Sequence, residues 1–142
     1  MMRAATLAYR LVFASVLTTF VLGGFARAAE HTRDTLDKVK ENLAGKKAVL
    51  LDVRELEEWK EAHLQDAQSL PLSELKKLAA DPAGPGKLEK QLRKDRIVYC
   101  HCALGRRALA AGDILSKLGY DVRPLKSSYN ELEQAGFAPA KK

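Results

Sequence analysis

Short apolar runs that alternate with helical patterns constrain the fold of this chain more than any other feature. The run AVLLDV (48–53) is apolar and partly β-branched, as is typical of a buried parallel strand. RIVYCH (96–101) and DVRPL (121–125) also predict strands, and a shorter strand is predicted around Leu70. Strands that alternate with helices predict an α/β fold, in which a parallel sheet carries helices on both faces.

Helical patterns fill the intervals between the predicted strands. The segment RALAAGDILSKLGY (107–120) has apolar residues at helical spacing and a glycine near its end. ELEEWKEAHL (55–64) predicts a charged helix with Leu56, Trp59 and Leu64 as candidates for its inward face and with Trp59 in the core. DPAGPGK (81–87) is rich in proline and glycine, so we expect a flexible surface loop there.

The first 28 residues have the three parts of a secretory signal peptide. Arg3 and Arg10 stand in a segment without acidic residues, an uncharged apolar run follows, and ARAA provides small residues for cleavage after Ala28. The apolar run is shorter than the roughly 20 residues of a spanning helix, so we expect no membrane attachment after cleavage. We therefore predict one domain, residues 29–142, in the periplasm or outside the cell.

The charge of the chain argues against a nucleic-acid partner. The sequence carries 24 basic and 18 acidic residues, a formal net charge of +6. The predicted signal peptide holds arginines and no acidic residue, so its removal lowers the net charge to +3. Nothing in the remainder resembles a long basic run or a pattern of basic and aromatic residues.

The chemistry of the chain is concentrated in CHCALGRR (100–107), which holds its two cysteines. A disulfide between cysteines one residue apart closes a small strained ring, so we predict a functional thiol even in an oxidising compartment. The segment joins a predicted strand to a predicted helix, where N–H groups and the helix dipole can hold an anion. Arg106 and Arg107 add charge, which favours a thiolate nucleophile. A small buried cysteine is the alternative interpretation.

Several motifs, in order, resemble the rhodanese homology domain. The stretch LLDVRELEEWKEAHLQDAQSLPLSEL (50–75) is similar to the family pattern L-D-V-R-x-x-x-E-[WF]-x-x-G-H-I-x-G-A. CALGRR (102–107) matches the family's active-site loop C-x-x-G-x-R, GYDV (119–122) its next strand and AGF its C-terminal end. The resemblance covers most of residues 31–138 and implies a sulfurtransferase with a rhodanese-like fold.

Two alignments of the loop compete for the nucleophile. Cys102 to Arg107 gives C-x-x-G-x-R, the loop of the sulfurtransferases, whereas Cys100 to Arg106 gives C-x5-R, the loop of related phosphatases. Gly105 occupies the family's glycine position only in the first alignment, which therefore favours Cys102. Cys100 then lies on the strand, on the same side as Cys102.

The resemblance also implies a reaction. Cys102 would take the outer sulfur of a small anionic donor such as thiosulfate as a persulfide, and a thiol or cyanide would accept it. Arg107 would bind the anionic group, with Arg106 at the rim. The residues whose N–H groups would hold the persulfide are Ala103, Leu104, Gly105, Arg106 and Arg107.

The remaining family matches are expected to support the site. Asp52, Arg54 and His63 match family positions, and a structural role is favoured for each. We expect no cofactor, and no metal site from the Cys-His-Cys sequence at 100–102, because no second ligand pair is visible.

Two other functions stay open. A thiol-redox protein or persulfide carrier would use Cys100 and Cys102 together on a protein thiol partner. A phosphatase or arsenate reductase would use Cys100. The sequence departs from the family pattern at two places: Ala108 stands where the family often has Ser or Thr, and Ser127-Ser128 stand in place of Gly-Gly. These departures leave the sulfur donor and the reaction rate open, but not the fold.

Overall fold

The structure is a computed structural model that describes residues 27–141. Within that range helices and strands alternate along most of the chain. They are α1 (Leu36–Ala44), β1 (Ala48–Asp52), α2 (Leu56–Glu61), β2 (Ala67–Ser69), α3 (Leu72–Ala80), α4 (Gly84–Gln91), β3 (Ile97–Cys102), α5 (Arg106–Lys117), β4 (Asp121–Ser128) and α6 (Tyr129–Gln134).

The four strands form one parallel sheet in the order β2-β1-β3-β4. In the central pair, β1 and β3, Asp52 lies opposite His101. The ladder between β3 and β4 shifts register between Cys100 and Cys102, so that Cys102 lies opposite Ser128. The predicted α/β fold with a parallel sheet is confirmed.

Each face of the sheet has its own hydrophobic core because side chains alternate along a strand. On β3, Val98, Cys100 and Cys102 belong to the core that α3, α4 and α5 cover. Tyr99, between them, belongs to the opposite core, which α1 and α6 cover. Both faces of the sheet therefore carry helices, as the alternating pattern predicts.

The prediction that Leu56 faces inward and that Trp59 lies in the core was wrong, whereas Leu64 is buried as predicted. Helix α2 has no buried residue, and Leu56 is 44% exposed. Trp59 is half-buried and stacks on the ring of His63, with ring centroids 3.8 Å apart. In so short a helix, the spacing of apolar residues does not show whether the helix packs on a core. Helix α2 is held in place by polar contacts, such as the ion pair of Glu58 with Arg107.

The expectation of a flexible loop at residues 81–87 was also wrong for its second half. Helix α4 begins at Gly84, with a proline in its first turn, where the missing N–H breaks no helical bond. Gly84 is buried, and a Cβ there would lie 1.7 Å from the carbonyl oxygen of Leu78. This glycine thus allows α4 to approach α3 closely rather than making the chain flexible.

The parallel strands place their carboxyl ends at one edge of the sheet. Asp52, Cys102 and Ser128 end β1, β3 and β4 there. Ligands of parallel α/β sheets bind beyond this edge. The loop that the sequence singles out therefore lies where a site is expected.

The predicted signal peptide falls almost entirely outside the described residues, which begin at residue 27. In the part of the chain that the structure does describe, none of the helices has the length and apolar character needed to cross a membrane.

Candidate active site

The loop between β3 and α5 consists of Ala103, Leu104 and Gly105. Gly105 has φ 78°, a left-handed conformation that favours glycine, and it is the residue before the first turn of α5. Its carbonyl oxygen accepts a hydrogen bond from the N–H of Leu109 at 3.1 Å. The glycine thus makes a tight turn that starts the helix immediately after the nucleophile candidate.

The main-chain N–H groups of the loop are free to bind a ligand. Within residues 27–141 no hydrogen-bond acceptor is found for the N–H groups of residues 103–108. They belong to the turn and to the N-terminal end of α5, where the helix dipole adds partial positive charge. This arrangement suits an anion held against the end of β3.

Cys102 is the last residue of β3, directly before this loop. Cys102 is 1% exposed, whereas Leu104 in the loop is 75% exposed. The candidate nucleophile is therefore buried next to an exposed turn whose N–H groups suit an anion.

Cys100 lies on the same face of β3 but in a different environment. It is completely buried, and its Sγ donates to the carbonyl oxygen of Ala108 at 3.4 Å. Burial, together with the adjacent Cys102, raises the pKa of the Cys100 thiol well above its usual range. Cys100 is thus held as a neutral thiol, which disfavours it as a nucleophile.

Arg107 is tied to Glu58 in a two-pronged ion pair. Its Nη1 lies 2.6 Å from Glu58 Oε2 and its Nη2 lies 2.9 Å from Oε1. The hydrogen bonds from Arg107 lower the pKa of Glu58 to about 2. Two guanidinium nitrogens are therefore occupied by α2, and only the remaining donors of Arg107 can face a substrate. Arg106 is exposed.

Glu58 is the functional neighbour that the sequence reasoning missed. It lies within the family-like stretch, before Trp59, but nothing in its local pattern points to an arginine 49 positions away. Glu58 also closes the N-terminal end of α2, because its Oε2 accepts from the N–H of Glu55 at 3.0 Å. One carboxylate therefore joins the start of α2 to the start of α5.

Asp52 and Arg54 form a buried pair beyond the end of β1. Asp52 accepts from the main-chain N–H of Arg54 at 3.0 Å and from its Nη2 at 2.6 Å. Arg54 also donates to the carbonyl oxygen of Ala62 at 2.8 Å and lies over the ring of Tyr129. These contacts fix the chain between β1 and α2 and give Asp52 no free role as a proton carrier.

His101 is buried beside this pair. Its Nε2 lies 3.7 Å from Asp52 Oδ2, and neither ring nitrogen has a hydrogen-bond partner among the described residues. Burial lowers the pKa of His101 to about 4, so the ring is neutral at neutral pH. Its side chain points away from the face that carries Cys102, as strand alternation predicts.

His63, just beyond the end of α2, makes its contacts with α2 and with the C-terminal segment. Its Nδ1 lies 2.9 Å from the carbonyl oxygen of Trp59, and its own carbonyl accepts from Ala140 at 2.8 Å. These contacts are those of a residue that stabilises the chain after α2.

A shallow cavity of about 620 Å³ adjoins the loop. Besides the loop residues it is lined by β4 and α6, including Lys126. Ser128 caps α6, since its Oγ accepts from the N–H of Glu131 at 3.2 Å. Ser128, the second serine of the pair that departs from the family pattern, thus serves a helix start at the rim of this cavity. Lys126 adds a cation that the sequence reasoning did not single out.

Comparison with known proteins identifies relatives of this chain. The model of the Rhodanese-like domain family matches residues 35–135. A Schizosaccharomyces pombe protein named "Putative thiosulfate sulfurtransferase, mitochondrial" is 35% identical over 79 residues. That match covers 53% of this chain and 55% of the relative, so the chain spans about half the length of the curated relative it matches.

Two solved structures share the arrangement of helices and strands. A protein of Helicobacter pylori is 33% identical, with a TM-score of 0.54 over 68% of this chain and 81% of its own. The single-domain sulfurtransferase RDL2 of Saccharomyces cerevisiae has a TM-score of 0.61 at 22% identity, over 78% of this chain and 94% of its own. The second likeness is one of fold alone.

Proposed function

Since this chain belongs to the rhodanese-like domain family, we propose that it is a sulfurtransferase that carries sulfane sulfur as a persulfide on Cys102. The observation that carries this proposal is the position of Cys102. It ends β3 directly before a turn whose N–H groups, from residues 103–108, have no acceptor within the described residues. A nucleophilic sulfur and an anion-binding surface therefore meet at one point.

The first half-reaction forms the persulfide. The thiolate of Cys102 attacks the outer sulfur of thiosulfate, the bond between the two donor sulfurs breaks, and sulfite leaves with the electron pair. The new terminal sulfur carries one negative charge. The free N–H groups of the loop suit this charge, because oriented donors stabilise an anion without further rearrangement.

The second half-reaction returns the thiolate. Cyanide or a thiolate attacks the terminal sulfur of the persulfide, a new bond to the acceptor forms, and Cys102 leaves as the thiolate. The cycle is a transfer through a covalent intermediate, for which ping-pong kinetics are expected. It needs no cofactor.

Thiocyanate formation from thiosulfate and cyanide tests this proposal. The wild-type protein and the Cys100→Ser variant should form thiocyanate, while Cys102→Ser should not, because Cys102 is the cysteine that directly precedes the free N–H groups. Cys100→Ser is the matched control, as it changes a cysteine of the same strand face. Activity that requires Cys100 and survives Cys102→Ser would overturn the assignment.

The exposed Leu104 favours a protein thiol as the natural acceptor. A leucine that is 75% exposed at the tip of the loop offers an apolar contact that cyanide does not need. Leu104→Ser should leave transfer to cyanide unchanged and weaken transfer to a thiol carried on a protein. Equal effects on both acceptors would argue against such a contact.

We also propose that the chain is exported and cleaved after Ala28. The support is the sequence pattern of residues 1–28. Expression with the native N-terminus, followed by intact mass measurement of the periplasmic fraction, should give a chain that begins at Ala29. Recovery of the uncleaved chain in the cytoplasm would contradict this.

A further inference from the structure

The segment Ala29–Thr32 precedes the part of the chain that the family model matches, which begins at residue 35. We call this segment the N-terminal strap. Three hydrogen bonds hold the strap against α5, the active-site loop and β4. The N–H of Ala29 donates to Asp113 Oδ1 at 2.6 Å, His31 Nε2 lies 3.2 Å from the carbonyl oxygen of Gly105, and the N–H of Thr32 donates to the carbonyl oxygen of Pro124 at 2.7 Å.

The middle contact reaches the active-site loop itself. A Cβ on Gly105 would lie 2.8 Å from His31 Nε2 and 3.2 Å from the carbonyl oxygen of Lys126. The imidazole of His31 therefore lies directly against the glycine that makes the left-handed turn. With the ring proton on Nε2, His31 donates to the same carbonyl oxygen that accepts from Leu109.

The geometry of the peptide unit gives this hydrogen bond a consequence for the site. A peptide unit is planar and trans, so the carbonyl of Gly105 and the N–H of Arg106 point in opposite directions. A donor that fixes this carbonyl on one side therefore fixes the Arg106 N–H on the other. That N–H is one of the free groups of the loop.

The other end of the strap is anchored away from the loop. A Cβ on Gly112 would lie 3.0 Å from the Cβ of Ala29 and 2.6 Å from Cγ of Pro124, so the strap, α5 and β4 meet at close range. Asp113 is the polar anchor. Cleavage after Ala28, which is proposed above, would turn the Ala29 N–H into an ammonium group and its bond to Asp113 into a charge pair.

We propose that the N-terminal strap positions the active-site loop and that His31 is a positioning residue for the Arg106 N–H. This inference rests on the proposed function for its meaning in catalysis. The hydrogen bond itself does not depend on that function and can be tested without it.

The test compares His31→Leu with His31→Gln, whose side-chain amide keeps an N–H donor. Arg33→Gln is the control, because Arg33 is exposed and lies just beyond the strap. Amide hydrogen exchange of Leu109, whose N–H donates to the same carbonyl of Gly105, should become about five to ten times faster in His31→Leu, the range that one ordinary hydrogen bond supports. The kcat with thiosulfate should fall by a similar factor, about five to ten times, with a smaller change in KM. His31→Gln should restore much of both.

Asp113→Asn provides a second variant that leaves His31 in place. It should speed exchange of the Leu109 amide, by less than His31→Leu does, because it loosens the far end of the strap. Leu109 exchange and kcat in His31→Leu that match Arg33→Gln would overturn the proposal. So would a His31→Gln variant as impaired as His31→Leu. A wild-type protein that transfers no sulfur would refute the proposed function, while the exchange data would still decide the role of the strap.

Discussion

Two cysteines on one strand face differ in what surrounds each sulfur. Cys102 directly precedes main-chain N–H groups that have no acceptor within residues 27–141, whereas Cys100 is buried and donates to the carbonyl oxygen of Ala108. Burial raises the pKa of the Cys100 thiol and so disfavours a thiolate there. This contrast supports the proposal that Cys102 carries the chemistry and that Cys100 has a packing role.

Thiol titration of the folded protein measures this contrast. In Cys102→Ser, no thiol should react with a disulfide reagent under native conditions, and one should react after unfolding in guanidinium chloride. In Cys100→Ser, the remaining thiol should react more readily in the folded state, because Cys102, though buried, directly precedes the exposed loop. Rapid native reaction of Cys102→Ser would show that Cys100 is accessible after all.

His101 gives the stability of the protein a dependence on pH. Its pKa is lowered from 6.5 to about 4 in the folded state. The unfolded chain therefore binds a proton as the pH falls below about 6.5 while the folded chain does not, so acid favours unfolding until about pH 4. The loss is at most about 1.4 kcal/mol per pH unit.

Urea unfolding between pH 7 and pH 4 tests this dependence. His101→Asn should flatten the fall of the free energy of unfolding over that range. Val98→Ala is the matched control, since it alters a buried residue of the same strand that has no titratable group, and it should keep the wild-type slope. Equal slopes in the wild type and His101→Asn would contradict the burial argument.

At the scale of elements, the turn between β3 and α5 depends on a glycine for two reasons. Gly105 has a left-handed φ of 78° and lies against His31. Gly119, at the other end of α5, has φ 88° but nothing within 4 Å of a Cβ placed there. Substitution of Gly119 therefore measures the free-energy cost of the left-handed conformation alone, whereas substitution of Gly105 adds the cost of crowding against His31.

Alanine at each glycine should have different effects. Gly119→Ala should lower the free energy of unfolding by about 1 kcal/mol, the cost of a left-handed alanine. Gly105→Ala should cost more than Gly119→Ala and should also lower sulfur transfer, because the new methyl group displaces His31. Denaturant unfolding and thiocyanate assays check this, and equal losses in both variants would refute the crowding argument.

A single ion pair joins helices α2 and α5 at the site. Glu58→Gln should lower kcat/KM for thiosulfate by about three to ten times, because a charge-assisted bond that orients Arg107 is weakened. The loss of stability should stay below about 1 kcal/mol, since both side chains are partly exposed. Glu57→Gln, an exposed neighbour in α2, is the control.

The pKa of Glu58 sets the pH range of this effect. It is lowered to about 2, so the stabilising charge is present above about pH 4.5 and is lost only as the pH falls through about 2. The difference between Glu58→Gln and the wild type should therefore be constant from pH 5 to pH 9. A difference that disappears within that range would contradict the ion pair.

For the whole molecule, sequence patterns predicted the features that residues close together in the chain determine. The apolar runs at 48–53 and 96–101 predicted the parallel sheet, because a strand that is buried on both faces is apolar along its whole length. Glycine and two arginines after Cys102 indicated the loop before α5. These signals are local, and the structure has the sheet, the turn and the helix where they predict them.

What the sequence did not predict depends on pairs of residues far apart in the chain. Glu58 with Arg107 and His31 with Gly105 are contacts between segments that only the fold brings together. Burial of Gly84 against α3 likewise turned an expected loop into a helix start. Composition and spacing carry no information about such pairs.

Intact mass measurement after incubation with thiosulfate tests the central claim most directly. The wild-type protein should gain the mass of one sulfur atom and lose it on addition of cyanide. Cys100→Ser should behave in the same way, and Cys102→Ser should gain nothing. A wild-type protein without the adduct, or an adduct that persists in Cys102→Ser, would contradict the assignment of sulfur transfer to Cys102.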